Sequence, residues 1–274
     1  MGVIPMNWRS LTTMRLAVNP MRIVFLLLGL AILLFIFVPL FKMIVSSNPS
    51  DLLATLREGD VAASILLTLY SALLATIVGF LLGIPLAYLL ARHEFPGKRI
   101  VEGLIDLPIV VPHSAVGIAL LFVFGQHFFL GKVFHALGID FVGEVAGIVI
   151  AMLYVSIPFL VNSAKEGFKK VDVRLEKVAR SLGASPWQTF FGIALPLARG
   201  SILSGTVMMW ARGISEFGAV LILTYNPMIA PILVYERFET FGLDYALPVA
   251  VLLVLVCLAV FVTLRAIAHR WEAK

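Results

Sequence analysis

Runs of apolar residues too long for an ordinary soluble helix leave this chain few folds. Ile23 to Val45 is apolar apart from Lys42. Its 23 residues, at ~1.5 Å each, make ~34 Å, enough to cross a bilayer. Val61 to Leu90 is longer still, which predicts tilt or projection beyond the lipid. In hydrocarbon every backbone polar group must find its partner inside the segment, so such runs become helices. The chain is 61% hydrophobic and 14% charged, against about 45–50% and roughly 25% in soluble domains. The expected class is all-α: one polytopic membrane domain, residues 1–274, with six transmembrane helices.

The other four spans are placed at 107–124, 145–161, 197–224 and 247–268. Residues 46–60 read as a polar link, 92–106 as a charged loop and 125–144 as a further loop. A cleaved leader is set aside because the first apolar run is too long and Ser46-Ser47-Asn48-Pro49 is a poor cleavage site. Gly79-x3-Gly83 fits close helix packing, within the chain or across a dimer, and Pro85 predicts a kink. Pro108 and Pro112 predict a broken entry to the third span. His113 reads as an interfacial histidine, since no second ligand stands at metal-binding spacing. The single cysteine, Cys257, excludes an intrachain disulfide.

Charge distribution predicts orientation. With the N-terminus inside, the inner segments hold sixteen Lys and Arg and the outer ones four, with Arg212 inside a span. The positive-inside rule then puts residues 163–198 and both termini in the cytoplasm. The outer segments carry eight carboxylates, an acidic face that repels free anions and suits a carrier protein that shields them.

The polar loop from Glu166 to Pro196 reads as two short helices joined by a tight break. Asp172 can cap the first, with Leu175, Val178, Ala179 and Leu182 along one face. Gly183 suits a left-handed turn, and Ser185, Pro186 and Gln188 restart a helix as a capping box with proline at its first position. Trp187 and Phe190 are expected beneath the apolar stripe. No phosphate loop, nucleophile elbow or His-Glu-x-x-His helix is present, so the chain is not expected to be an enzyme by itself. Arg212 and Glu216 stand four apart inside a span, where charges face a bundle interior or a wet cavity. With Ser215 they line a translocation path or gate, or else lock helices together as an ion pair.

The spacing Ala179-x3-Gly183-x9-Ile193-x-Leu195-Pro196 resembles the EAA coupling loop of ABC importer permeases. Where that loop has Glu-Ala-Ala, this chain has Lys177-Val178-Ala179, with a carboxylate one place earlier at Glu176. The resemblance implies an ATPase-coupling surface at Glu166, Asp172, Leu175, Glu176, Val178, Ala179, Leu182, Gly183, Ala184, Ser185, Pro186, Trp187 and Phe190. Arg212-x3-Glu216-Phe217-Gly218, Phe95-Pro96-Gly97-Lys98 and Asp106-Leu107-Pro108 resemble the sulfate/molybdate/tungstate branch, most of all the archaeal molybdate/tungstate permeases, from about Val61 to Ala268. This implies the type I permease fold and a homodimeric pore in the cell membrane. It also implies two ATPase subunits that bind ATP and Mg, and an external oxyanion-binding protein. No cofactor, metal or nucleic acid is expected on this chain. The alternatives are a sulfate or thiosulfate permease of the same architecture, and a secondary anion transporter working without an ATPase.

Overall fold

The computed structural model describes residues 20–272, and every regular element among them is helical. Apolar length decides most boundaries. Helix α1 (Pro20–Val45) is a unit to itself, a single apolar helix with Phe37 and Phe41 stacked one turn apart. The second unit holds α2 (Pro49–Arg57), α3 (Gly59–Arg92), α4 (Lys98–Val110), α5 (His113–Phe124) and α6 (Phe129–Ala136). It continues through α7 (Val145–Lys170), α8 (Val173–Ser181), α9 (Pro186–Thr189), a π-helical turn (Phe190–Ala194) and α10 (Leu195–Ile214). Helices α11 (Gly218–Leu223), α12 (Ala230–Phe241) and α13 (Leu243–Glu272) complete it.

Five helical segments among the described residues are long and apolar enough to cross a membrane. A sixth crossing arises if α4 and α5, bent by 117° at Val111–Pro112, count as one. At the centre α3, α7 and α10 pack together through small residues. A Cβ on Gly205 would stand 2.6 Å from the Ser163 Cβ, and one on Gly167 2.6 Å from the Ser201 Cβ. Side chains that small let the α7 and α10 backbones approach closely, and the Ser163 hydroxyl donates across the gap to the Ser201 carbonyl at 2.6 Å. The Gly79-x3-Gly83 pair serves the same purpose within the chain, facing Met209, Ile157 and Val161.

The expected boundaries change in several places. The charged loop at 92–106 is mostly helix. Gly97, at φ +89°, turns the chain, and α4 then sets its charges opposite polar groups of α7. Lys165 meets Glu102 at 3.1 Å and Asn162 donates to Asp106 at 2.6 Å. Ile100, Leu104 and Leu107 are left on the exposed side of α4. Helices also occupy parts of the link at 46–60, the loop at 125–144 and the segment before the last span. The fourth span extends past Val161 to Lys170. The fifth does not run to Thr224: α10 stops at Ile214, and the chain restarts at Gly218. The reason is local, because the Glu216 carboxylate accepts the Ala219 N–H at 2.9 Å and caps the new helix.

Candidate functional site

Two places carry the sequence-predicted residues, one at each end of α10. The first is the knob formed by α8 and α9. The Asp172 carboxylate caps α8 by accepting the Arg174 N–H at 2.9 Å. Gly183 closes the turn at φ +95°, a backbone conformation that a side chain would strain. The Ser185 hydroxyl accepts the Gln188 N–H at 3.2 Å, and the Gln188 side chain accepts the Ser185 N–H at 2.7 Å. Both bonds of the capping box are therefore made. The Ala184 N–H reaches the Ala179 carbonyl at 3.0 Å and fastens the turn. Glu166, one turn before the end of α7, is exposed and pairs with Lys169 at 2.9 Å.

The burial pattern of α8 is inverted. Leu175 and Val178 face outward, and Leu182 is 83% exposed. The one buried residue of α8 is Glu176. Its carboxylate takes two bonds from Arg92 (2.6 and 2.9 Å) and one from the Tyr88 hydroxyl (2.8 Å). Arg92 also donates to the Val171 carbonyl at 3.1 Å. Both charged side chains are buried, at 7% and 9% exposure. Glu176, expected on the coupling surface, thus faces the body of the protein, because it is the counterion of an arginine that has no other carboxylate partner among the described residues. Below it Phe190 packs edge-on to Tyr88 at 5.0 Å. Trp187, expected beneath the stripe beside Phe190, is instead 72% exposed and stacks on Phe191 at 5.9 Å. Pro186 is exposed beside it. A knob that buries its glutamate and presents leucine, valine and tryptophan has the composition of an interaction surface.

The second place is the break after α10. Arg212 donates to Glu216 at 3.2 Å and to the Ser215 hydroxyl at 3.1 Å. Glu216 is fully buried. A third residue joins them: the His113 Nδ1 lies 2.9 Å from the Glu216 carboxylate, and its Nε2 lies 2.8 Å from Arg212. With the proton on Nδ1, the imidazole donates to Glu216 and accepts from Arg212, satisfying both. His113 opens α5 at the 117° bend, so two helix breaks meet here. Gly218 makes the meeting possible, since a Cβ there would stand 3.0 Å from the His113 Cβ.

Sequence spacing brought Arg212 and Glu216 together but did not reach His113, 99 residues away from Arg212. The one available signal was a histidine placed directly after Pro112 at a predicted break. Nothing in the spacing pointed to Arg92 or Tyr88. No group of three or more potential metal ligands occurs among the described residues. At the far end of the second unit, Arg237 ties Glu58 and Asp60 at 2.6 and 2.9 Å, so part of the acidic face is internally neutralised.

Comparison with known proteins identifies the architecture. Residues 79–273 match the family described as binding-protein-dependent transport system inner membrane component. The molybdate/tungstate transport system permease protein WtpB of Pyrococcus furiosus is 47% identical over 246 residues, 89% of this chain and 93% of its own. That of Methanocaldococcus jannaschii is 44% identical over 85% of this chain and 91% of its own. A probable sulfate transport system permease protein of Chlorokybus atmophyticus is 36% identical over 65% of this chain and 63% of its own. Among solved structures, a bacterial ABC transporter involved in the import of the acidic polysaccharide alginate superposes with a TM-score of 0.69 at 18% identity, covering 90% of this chain and 95% of that one. That similarity carries the fold alone. The chain belongs to the binding-protein-dependent transport system inner membrane components, the multi-pass permease subunits of ABC transporters, which are not themselves enzymes.

Proposed function

We propose that this chain is the pore-forming subunit of an ATP-driven importer of molybdate and tungstate. One observation carries the reading: the 47% and 44% identity to molybdate/tungstate permeases spans nearly the full length of both partners. The sulfate permease likeness is weaker and shorter. Two copies form the pore, each carrying one ATPase subunit that binds ATP and Mg, and an external binding protein delivers the oxyanion. Charge asymmetry puts the α8–α9 knob and both termini in the cytoplasm, beside the ATP.

The knob's exposed residues suit this role. Leu175, Val178, Leu182 and Trp187 enter an apolar cleft of the ATPase, while Arg174, Lys177 and Arg180 surround them with charge. Motion of the ATPase then reaches α3 through Glu176 and Arg92, and reaches α10 through the π turn, because both connections are short and hydrogen-bonded or packed. Arg212, Ser215 and Glu216 line the path.

The test is reconstitution of the chain with its ATPase and binding protein in liposomes, followed by uptake of labelled molybdate, tungstate and sulfate. ATP-dependent accumulation of the first two is expected. Accumulation of sulfate alone would support the sulfate reading instead, and uptake without the ATPase would overturn the ATP-driven one.

A further inference from the structure

The cluster at the break after α10 has donors left over. A guanidinium carries five N–H donors. Arg212 uses three of them, on Ser215, His113 and Glu216. The remaining two, the Nε–H and one on Nη1, have no partner among the described residues. The cluster also has a closed side and an open one. Glu216 is wholly buried, whereas the side chains of Arg212 and His113 are 22% and 33% exposed and Ser215 is exposed. All four lie deep in the bundle: Gly213, next to Arg212, packs on Ala72 in the middle of α3 and on Met152 of α7.

An arginine and a serine exposed at that depth would be costly against lipid, so this face meets protein or water. It offers the unused donors of a planar fork and a hydroxyl that can turn away from the Arg212 carbonyl it bonds at 3.0 Å, a donor set that fits a tetrahedral oxyanion. The carboxylate behind it keeps the cluster neutral when no anion is present and competes with any anion for Arg212. Competition of this kind makes binding weak, and a path requires sites that hold cargo briefly and then release it.

We propose that Arg212 and Ser215 form a transient binding subsite for a tetrahedral oxyanion within the translocation path, with Glu216 as the resident counterion and His113 bridging Arg212 to it. This rests on the oxyanion-import reading above. On arrival the anion takes the unused Arg212 donors and the Ser215 hydroxyl, while Glu216 keeps its bonds to His113 and to the Ala219 N–H that caps α11. Departure of the anion restores the neutral pair. No bond is made or broken covalently.

The test uses thiol chemistry in the whole complex. Cys257, the native cysteine, is replaced by Ala, and Ser215→Cys is introduced. The permease is reconstituted with ATPase and binding protein, and modification by a water-soluble methanethiosulfonate is timed with and without millimolar tungstate. Tungstate should slow modification roughly tenfold, the effect of one or two charge-assisted hydrogen bonds on occupancy. In an Arg212→Gln background the protection should vanish. A modification rate indifferent to tungstate, or protection that survives Arg212→Gln, would overturn the subsite. Uptake of tungstate by the unaltered complex separates the two ideas. Absence of uptake fails the import reading, whereas uptake without protection fails only the subsite.

Discussion

Two Arg–Glu pairs of the second unit, one at each end of α10, look alike in a contact diagram and differ in their surroundings. Arg92 and Glu176 are both buried, doubly bonded to each other and sealed by Tyr88 and the Val171 carbonyl. Arg212 and Glu216 make one contact, with the carboxylate buried and the guanidinium partly open. In the first pair three Arg92 donors end on Glu176 and the Val171 carbonyl, and with both side chains buried the cluster presents little charge to a visitor. In the second, the guanidinium is 22% exposed, and a histidine and a serine stand beside its unused donors. A closed pair fastens the knob to α3, and an open pair can exchange partners. Burial of both charges, rather than the presence of an ion pair, separates a fastening from a site.

Breaking each pair should expose that difference. Arg92→Ala leaves Glu176 buried without a counterion, a loss of about 3–5 kcal/mol. Yield of the assembled complex and its melting temperature should both fall. A variant that assembles and melts like the wild type would show the pair to be dispensable. Arg212→Gln should cost less stability, about 1–3 kcal/mol, because part of the guanidinium is solvated. It should nevertheless lower tungstate uptake roughly tenfold or more, through lost charge-assisted hydrogen bonds. The double variant Arg212→Gln/Glu216→Gln should regain assembly but not uptake. Recovery of uptake in the double variant would make this pair a fastening like the other.

Smaller effects are expected on the knob itself. Gly183→Val meets open space, so its cost is the left-handed backbone alone, roughly 1–2 kcal/mol. Binding of the purified ATPase should weaken correspondingly while the Arg92–Glu176 fastening survives. Unchanged ATPase affinity would remove the turn from the coupling surface. Ser185→Ala removes one half of the capping box, worth about 1 kcal/mol. Its expected trace is faster amide exchange in residues 186–190, with little change in uptake. Loss of uptake comparable to that of Arg212→Gln would mean that the comparison has the two ends of α10 reversed.

Local physics explains what was legible in advance. Length and hydropathy fixed the spanning helices, since lipid permits no other backbone there. Asp172, Gly183, Ser185 and Gln188 declared the knob because caps and left-handed turns involve neighbours in sequence. The pairing of Arg212 with Glu216 was legible for the same reason, being one helical turn apart. Charges misled where their partners were distant. Residues 98–106 looked like a loop until Glu102 and Asp106 found Lys165 and Asn162, and Glu176 looked available until Arg92 was found beneath it.

The amino-acid sequence by itself thus determined the helical class, the capped knob and the pairing of Arg212 with Glu216. Tertiary structure alone decided that Trp187 faces outward while Glu176 faces in. It also decided that the chain bends by 117° at Val111–Pro112, which delivers His113 to a carboxylate on another helix. Contacts across 84 and 99 residues leave no periodic signal, because the packing of α3, α5, α7 and α10 sets which side chains share a dry interior. In that interior a charge must find its partner wherever the chain has placed one, at whatever separation in sequence.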